Sequence, residues 1–195
     1  MIQSKSDLKE YLNLDMQKYK SLHGSIVERC RKSCLANPVC DEKYIWLYVK
    51  ALRHVEYWVN LTPPDMFFKI IKKLKLMYWL KMLRKYAYAT GFQIPPNVCG
   101  KGLTIWHWGA IIINPAAKIG DNCTLYPGVL IGQKYRGGGA AKIGNNVFIG
   151  AGTKIIGNVT IGDNVTIGQN CVITKDIKDN SVIVTNNTNR ILNKK

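Results

Sequence analysis

Isoleucine recurs at every sixth residue between positions 143 and 173, at Ile143, Ile149, Ile155, Ile161, Ile167 and Ile173. Hydrophobic residues repeat about every 3.6 positions in an amphipathic helix and about every two in a strand, so neither element explains this period. A fixed six-residue repeat is typical of a parallel β-helix, in which each hexapeptide forms one short strand and one corner. Ordinary sheet strands joined by glycine turns are the alternative. Six consecutive matches in phase favour the β-helix.

Glycine and asparagine mark the corners between the repeats. One turn pattern, Gly followed by Asp, Asn or Gln and then Asn, recurs at 120–122, 144–146, 162–164 and 168–170. Glycine, asparagine and aspartate accept the positive φ angles that a tight corner requires. Three hexapeptides per coil would stack residue i on residue i+18. This spacing predicts two interior columns, Ile113–Ile131–Ile149–Ile167 and Leu125–Ile143–Ile161.

The repeated Ile-Gly units, together with PAAKIG at 115–120 and IGAGTKI at 149–155, resemble the hexapeptide-repeat acyltransferases. Within that family the chain is most similar to the serine acetyltransferase branch and its relatives in bacterial polysaccharide gene clusters, over about residues 92–191. The resemblance implies a mainly β fold, namely a left-handed parallel β-helix with a helical N-terminal region. It also implies a homotrimer with active sites in the clefts between subunits, and acetyl-CoA as the co-substrate.

The chain is expected to divide into a helical region, residues 1–91, and the β-helix, residues 92–195. Pro64 and Asp65 open a helix over residues 66–90 in which apolar residues alternate with lysines, and Gly91 ends it. This basic helix either packs its apolar face on neighbours within the trimer or lies on an anionic membrane surface as a peripheral contact. We favour packing within the trimer, as the resemblance to the serine acetyltransferase branch implies, while a membrane contact would suit a lipid-linked glycan acceptor.

The charge of the chain is strongly positive, with a formal net charge of +16. No acidic residue occurs between Asp65 and Asp121. A nucleic acid, an anionic membrane or an acidic substrate would suit such a surface, and so would a solvated helix face. We recognise no nucleic-acid-binding motif and expect no nucleic-acid partner. The absence of an apolar leader and of a bilayer-length apolar run predicts a cytoplasmic protein.

The six cysteines are irregularly spaced and are expected to be reduced thiols. Cys30, Cys34 and Cys40 lack the paired spacing of a zinc site, so no metal is expected. Three further cysteines fit wall or interior positions of the β-helix, namely Cys99, Cys123 and Cys171.

A single histidine of the β-helix, His107, lies between Trp106 and Trp108. A lone histidine among apolar residues is more often structural than catalytic. However, GLTIWHWGAII at 102–112 is similar to the stretch that carries the catalytic base in the serine acetyltransferase branch. The resemblance implies that His107 withdraws the proton from an acceptor hydroxyl, which then attacks the thioester of acetyl-CoA.

The chain departs from the serine acetyltransferase pattern at the positions that hold serine and orient the base. Phe92 and Trp106 replace two aspartates, and Gly139 and Ala140 replace an Arg-His pair. A free amino acid needs charged partners for its carboxylate and ammonium groups. Trp106 and Trp108 instead offer flat faces that suit a sugar ring. We therefore expect an O-acetyltransferase acting on a sugar hydroxyl of a bacterial polysaccharide or its precursor, with serine O-acetylation in cysteine biosynthesis as the alternative.

The resemblance also assigns a groove for CoA, lined by Gly132, Gln133, Gly150, Ala151, Lys154, Gly168 and Gln169, with Lys175 near the adenosine phosphates. Residues 133–142 interrupt the repeat, and their three consecutive glycines predict a loop that extends towards the cleft. Within it, Lys134 and Arg136 could meet CoA phosphates or an acidic acceptor, although a solvated loop is equally compatible with the sequence.

Two other functions are less compatible with the sequence. A γ-carbonic-anhydrase-like enzyme would need three zinc-binding histidines, and the predicted β-helix contains one. A purely structural β-helix would not require a histidine flanked by two tryptophans. An acyltransferase therefore remains the favoured class.

Overall fold

The computed structural model describes residues 1–19 and 41–185. Its three helices are α1, Lys5–Met16; α2, Glu42–Asn60; and α3, Met66–Thr90. Asp65 caps α3 by accepting a hydrogen bond from the backbone N–H of Phe68 at 2.8 Å, and Gly91 ends the helix with a φ of 80°. Aspartate is favoured before the first turn of a helix because its carboxylate accepts hydrogen bonds from unpaired backbone N–H groups. Glycine is favoured after the last turn because it adopts the positive φ that ends the helix. The predicted basic helix over residues 66–90 is thereby confirmed.

Thirteen short parallel strands follow in the described part of the chain. They are β1, Phe92–Gln93; β2, Thr104–Ile105; β3, Ile111–Ile113; β4, Lys118–Ile119; β5, Thr124–Leu125; β6, Leu130–Gly132; β7, Lys142–Ile143; β8, Phe148–Ile149; β9, Lys154–Ile156; β10, Thr160–Ile161; β11, Thr166–Ile167; β12, Val172–Ile173; and β13, Val182–Ile183.

The strands form the three faces of a prism. Face 1 contains β1, β3, β6, β9 and β12; face 2 contains β4, β7 and β10; and face 3 contains β2, β5, β8, β11 and β13. The chain visits the faces in the order 1, 2, 3 and then returns to face 1 one coil further along. Single bridges between Cys99 and Ile119 and between Ile161 and Ile177 extend face 2 at both ends. This arrangement is the parallel β-helix that the six-residue period predicts.

The core consists of one inward residue per strand, stacked coil on coil. On face 3 the buried column is Ile105, Leu125, Ile149 and Ile167, and on face 2 it is Cys99, Ile119, Ile143 and Ile161. The three cysteines predicted to lie in the β-helix, Cys99, Cys123 and Cys171, are buried free thiols. Cys30, Cys34 and Cys40 lie outside the described residues.

The two interior columns predicted from a spacing of three hexapeptides are wrong across the loop at 133–141. Ile131 stacks on Ile155, and Leu125 stacks on Ile149, so these partners are separated by four hexapeptides instead of three. The loop thus lengthens one coil by one repeat. Such an insertion leaves the hydrophobic phase intact and cannot be seen from the phase alone. The predicted stacking holds before and after the loop, as in the pairs Ile113–Ile131 and Ile149–Ile167.

The corner between faces 2 and 3 carries a ladder of asparagines, Asn122, Asn146, Asn164 and Asn180, all with φ near +56°. The Nδ2 of each donates to the Oδ1 of the next at 3.1–3.2 Å. The glycine two residues before each of the first three has no room for a Cβ: at Gly144 it would meet the backbone carbon of Gly162 at 2.8 Å. Asn170, at the corner between faces 3 and 1, has a φ of 54°. The predicted corner chemistry is therefore confirmed at all four turns.

Helices α1 and α2 cover the first coil through a buried charged cluster. Arg53, fully buried, forms an ion pair with Asp15 of α1 at 2.7 Å and with Glu56 at 3.0 Å. Its guanidinium also donates to the backbone oxygens of Cys99 and Gly100. Burial alone would lower the pKa of Arg53, but Glu56 and Asp15 together raise it. The cluster ties both helices to the open end of the β-helix.

Candidate active site

His107 lies at the edge where face 3 turns into face 1, between β2 and β3. The corner here is two residues longer than its counterpart one coil on, since Thr104 pairs with Thr124 before the corner while Ile112 pairs with Leu130 after it. His107 occupies the extra length with a φ of 66°. Every other non-glycine residue with positive φ in the described chain is an asparagine. Such conformations are costly for larger side chains and cluster at functional sites.

The imidazole of His107 pairs with a carboxylate from the helical region. Its Nδ1 lies 2.9 Å from Oδ2 of Asp41, the residue that precedes α2. The histidine side chain is 66% exposed, whereas that of Asp41 is 16% exposed. When Nδ1 carries the proton and donates a hydrogen bond to this carboxylate, the unprotonated Nε2 can act as a base. Asp41 is a candidate functional residue that sequence reasoning missed, because it is distant from His107 along the chain and belongs to no local motif.

The two tryptophans predicted to bind substrate flank this pair at the surface. Trp106 and Trp108 are each 40% exposed. Tyr44, in the first turn of α2, lies close to Trp108, with ring centroids 6.3 Å apart. Partly exposed aromatic rings therefore lie on the residues directly before and after His107.

The end of α3 fixes the backbone just beyond Trp108. The N–H of Gly109 donates to the carbonyl of Thr90 at 2.9 Å, and Gly91 packs directly against Gly109. Gly109 has a φ of 137°, and a Cβ there would meet Pro127 at 3.0 Å. The turn that presents His107 is thus held by the first coil, the second coil and a helix end.

Five of the residues predicted to bind CoA lie on the same edge as His107. Gly150 and Ala151 occupy this corner two coils further along, and Gly168 and Gln169 occupy it three coils along. Neighbouring coils are spaced by about 4.8 Å, so these corners lie on the order of 10–14 Å from His107 along the prism axis. The Nζ of Lys154 reaches the same edge, donating to the carbonyls of Gly128 and Gly152. Gly150 also has a structural role, because a Cβ there would meet the backbone of Gly168 at 2.7 Å.

The remaining predicted residues lie on the next edge, between faces 1 and 2. Gly132 ends β6, Gln133 begins the loop, and Gly132 accepts a hydrogen bond from Gly157 one coil on. Arg136 is exposed on the loop, and Lys175 is exposed just after β12. The predicted set is therefore divided between two edges of one chain.

A cavity of about 600 Å³ lies on this second edge, beneath the loop. Its lining includes Lys134 and Tyr135 from the loop, and Gly157 and Asn158 from the corner one coil on. The loop therefore does not lie flat on the prism but encloses space beside it. None of the residues around His107 lines this cavity.

The positions that depart from the serine acetyltransferase pattern have local structural roles. Phe92 is buried in β1 and packs edge-on against Tyr48 of α2, with ring centroids 5.1 Å apart. Gly139 lies against Asn158, where a Cβ would be 2.7 Å from that side chain, and Ala140 is buried. A charged side chain at Gly139 would require Asn158 to move, and one at Ala140 would be buried.

Burial shifts the pKa of one other histidine and of two cysteines of the described chain. His54 stacks on Trp79 at 3.8 Å, and burial, aided by Lys50, lowers the pKa of His54 to about 4. Burial raises the pKa of the Cys99 thiol to about 12 and also raises that of Cys123. Residues 1–19 and 41–185 contain no group of three or more metal-binding side chains.

Comparison with known proteins shows which proteins this chain is similar to. Residues 140–175 match the model of the bacterial transferase hexapeptide (six repeats). The chain is 36% identical over 100 residues to the serine acetyltransferase of Helicobacter pylori, covering 50% of this chain and 58% of that protein. It is 36% identical over 130 residues to that of Staphylococcus xylosus, covering 65% of this chain and 58% of that protein. The chain thus spans less than two thirds of these relatives.

Solved structures show the same fold over nearly the whole chain. Soybean serine acetyltransferase superposes with a TM-score of 0.67 at 21% identity, covering 94% of this chain and 68% of that one. Isoform 3 of Entamoeba histolytica serine acetyltransferase, solved with cysteine, gives a TM-score of 0.65 at 23% identity, covering 97% and 62%. The fold is the predicted left-handed β-helix with a helical N-terminal region. The chain is a hexapeptide-repeat protein similar to the serine acetyltransferases.

Proposed function

We propose that the protein is an acetyl-CoA-dependent O-acetyltransferase. The observation that carries this proposal is the pairing of His107 with Asp41 at an exposed edge of a hexapeptide β-helix. A histidine held by a carboxylate is a common general base in proteins. The sequence similarity to serine acetyltransferases supports the choice of acetyl transfer over other reactions that a histidine–aspartate pair can catalyse.

The proposed reaction is a direct transfer between two bound substrates. Nε2 of His107 takes the proton of the acceptor hydroxyl as its oxygen attacks the thioester carbonyl of acetyl-CoA. Asp41, at 2.9 Å from Nδ1, holds the ring and stabilises the imidazolium that forms. Collapse of the tetrahedral intermediate breaks the carbon–sulfur bond. The imidazolium then returns its proton to the leaving CoA thiolate, which restores the neutral base.

The division of the predicted CoA residues between two edges supports a site that is shared by two copies of the chain. His107 and Gly150 lie on one edge, whereas Gly132 and the cavity beneath the loop lie on the next. In a trimer with threefold symmetry, one edge of each subunit faces a different edge of its neighbour. We infer a homotrimer in which the loop edge of one subunit meets the His107 edge of the next and encloses acetyl-CoA.

L-serine is the acceptor that the comparisons favour. The similar proteins are serine acetyltransferases, and a solved structure of the soybean enzyme is complexed with serine. The carboxylate of Asp41 also supplies, beside the base, a group that an ammonium ion can pair with. Asp41 lies in the helical region, outside the motif positions at which the sequence lacks an aspartate.

A sugar hydroxyl is the second candidate acceptor, and one observation favours it. Trp106 and Trp108, the neighbours of His107 in the chain, are each 40% exposed, and Gly139 and Ala140 supply no cation for an amino-acid carboxylate. Aromatic faces are suited to the apolar side of a sugar ring. An acceptor comparison therefore separates two defined alternatives.

The test is acceptor-dependent release of CoA from acetyl-CoA by the full chain. Rates with L-serine are compared with rates for free sugars, nucleotide-sugars and oligosaccharides. His107→Ala removes the base, and His54→Gln serves as a matched control because His54 lies away from the site. We expect the loss of the base to lower the rate by about 10²–10⁴-fold, with little change in the control.

The outcomes test three claims separately: the class of the acceptor, the role of His107 as the base, and acetyl transfer itself. Turnover with L-serine that requires His107 supports serine O-acetylation, and turnover with only a sugar supports the second candidate. Equal rates in the wild type and in His107→Ala would refute the role of the base. The absence of any acceptor-dependent release would refute acetyl transfer to either class.

A further inference from the structure

One face of α3 presents large apolar side chains to solvent. Phe67, Ile70, Leu74 and Met77 are 56–68% exposed and recur at intervals of three and four residues, so they form one stripe on the helix. The opposite side faces the protein, where Trp79 stacks on His54 and Leu83 packs against the core. The stripe therefore remains on the surface although α3 is firmly attached.

The same helix is basic throughout and contains no acidic residue. Seven lysines and arginines lie in Met66–Thr90, and the chain has no Asp or Glu from residue 66 to residue 120. Lys72 makes contacts within the chain, because its Nζ donates hydrogen bonds to the carbonyls of Val59 and Leu61 at 3.0 and 2.7 Å. Lys73 is exposed beside the apolar stripe, and the exposed Lys81 and Lys85, four and eight residues after Met77, continue its line towards the end of the helix.

We propose that α3 docks on the surface of an anionic lipid bilayer, with its axis parallel to the membrane. At 25 residues the helix is about 37 Å long. Its apolar stripe would enter the boundary between head groups and acyl chains, by about 5–10 Å, while the exposed lysines would pair with lipid phosphates. In the described chain no helix combines the length and apolarity needed to cross the bilayer, so the contact is made along the surface.

The charge of α3 argues against a contact between the α3 helices of two copies of the chain. A twofold interface brings the same patch of both subunits together. Here it would place the lysines of one α3 against those of the other, with no carboxylate on either helix to offset the repulsion. An anionic surface removes that repulsion and covers the apolar stripe at the same time. A nucleic acid would satisfy the lysines but would leave the apolar side chains exposed.

The test is co-sedimentation of the full chain with vesicles of phosphatidylcholine alone and of phosphatidylcholine mixed with phosphatidylglycerol. Leu74→Asn with Met77→Asn removes apolar surface without altering charge. Val182→Asn with Val184→Asn is the matched control, because both valines are about 70% exposed on the β-helix. A second pair compares Lys81→Glu with Lys118→Glu, both at exposed lysines. Light scattering gives the oligomeric state of each variant.

We expect binding to vesicles that contain phosphatidylglycerol, little binding to phosphatidylcholine alone, and a loss of at least about tenfold in Leu74→Asn/Met77→Asn. Lys81→Glu should also weaken binding, and both controls should bind as the wild type does. Equal binding by the wild type and the stripe variant would overturn the proposal, since it would show a general attraction of charge. If the wild type does not bind vesicles and Leu74→Asn/Met77→Asn forms a smaller oligomer, another copy of the chain covers α3 and the proposal is overturned. Failure of the wild type to bind either kind of vesicle would also overturn the proposal.

Discussion

His107 and Asp41 show how a short contact can depend on the whole fold. The sequence predicts His107 because the motif around it is local, whereas Asp41 precedes a helix in the N-terminal region. Only the packing of α2 on the first coil brings the carboxylate to within 2.9 Å of Nδ1. Periodicity and motif spacing therefore suffice to propose His107 as the base, but they contain no information about a distant carboxylate that pairs with it.

Asp41→Asn tests the orienting role of this carboxylate. The amide would offer its N–H to Nδ1 and favour the tautomer that carries the proton on Nε2, so the base would be blocked. We expect kcat to fall about 10²–10⁴-fold, with little change in the KM for acetyl-CoA. Steady-state kinetics with whichever acceptor supports CoA release would measure both constants.

Glu10→Gln is a suitable control for this variant, since it neutralises an exposed carboxylate that pairs with Lys101 on the surface. A kcat for Asp41→Asn close to that of the wild type would show that the contact does not act on the base. A rise in the KM for L-serine alone would instead assign Asp41 to binding of the acceptor ammonium.

The elements differ in how far the sequence specifies them. The limits of α3 follow from Asp65 and Gly91, and the strands follow from the six-residue phase. The stacking partners across residues 133–141 do not follow, because a loop that adds one repeat length leaves the phase unchanged. The division of the chain into residues 1–91 and 92–195 stays a prediction. Because α2 contacts the first coil, we do not expect either part to fold independently of the other.

Arg53→Ala tests the attachment of the helices to the first coil. Removal of the guanidinium would leave Asp15 and Glu56 buried without their partner, as well as two unpaired backbone carbonyls. We expect a loss of about 3–5 kcal/mol in the free energy of unfolding. Urea denaturation would measure it, with Arg84→Ala on the exposed surface as the control. A loss below about 1 kcal/mol, typical of surface pairs, would contradict the view that this cluster secures the helices.

His54 gives α2 and α3 a defined dependence on pH. Its pKa is about 4 in the folded protein, against 6.5 for an unperturbed histidine, because burial and Lys50 disfavour the charged ring. The unfolded chain therefore binds a proton more readily, so the stabilisation is complete above about pH 6.5 and is lost as the pH falls towards about 4. Urea denaturation at several pH values should show a smaller decline in acid for His54→Gln than for the wild type. Parallel declines would contradict this assignment.

At the scale of the whole molecule, the outward side chains differ between faces. Face 1 presents Gln93, Ile112, Leu130, Lys154, Ile156 and Val172, while face 2 presents Lys118, Lys142 and Thr160. Face 1 is the more apolar of the two, with four apolar side chains beside one glutamine and one lysine, which is compatible with subunits that associate through face 1 and leave face 2 in water. This distribution supports the proposed trimer.

Mixing of two inactive variants tests whether the site is shared between subunits. His107→Ala removes the base from one edge, and Arg136→Glu with Lys134→Glu reverses the charge of the loop on the other. In randomly mixed trimers with shared sites, about one quarter of the sites would combine an intact base with an intact loop. We expect the mixed and reassembled protein to recover activity on that order, measured as CoA release. No recovery, with trimers confirmed by light scattering, would show that each chain holds a complete site.

The asparagine ladder has a consequence for the polarity of the molecule. Each of its three amide hydrogen bonds runs from Nδ2 of one coil to Oδ1 of the next coil, so the side-chain dipoles of Asn122, Asn146, Asn164 and Asn180 align head to tail. Aligned amides polarise one another, and each bond strengthens its neighbours. The row therefore has a direction, parallel to the prism axis. Any coil gained by duplication must carry an amide at this corner, since another side chain would interrupt the alignment of the dipoles.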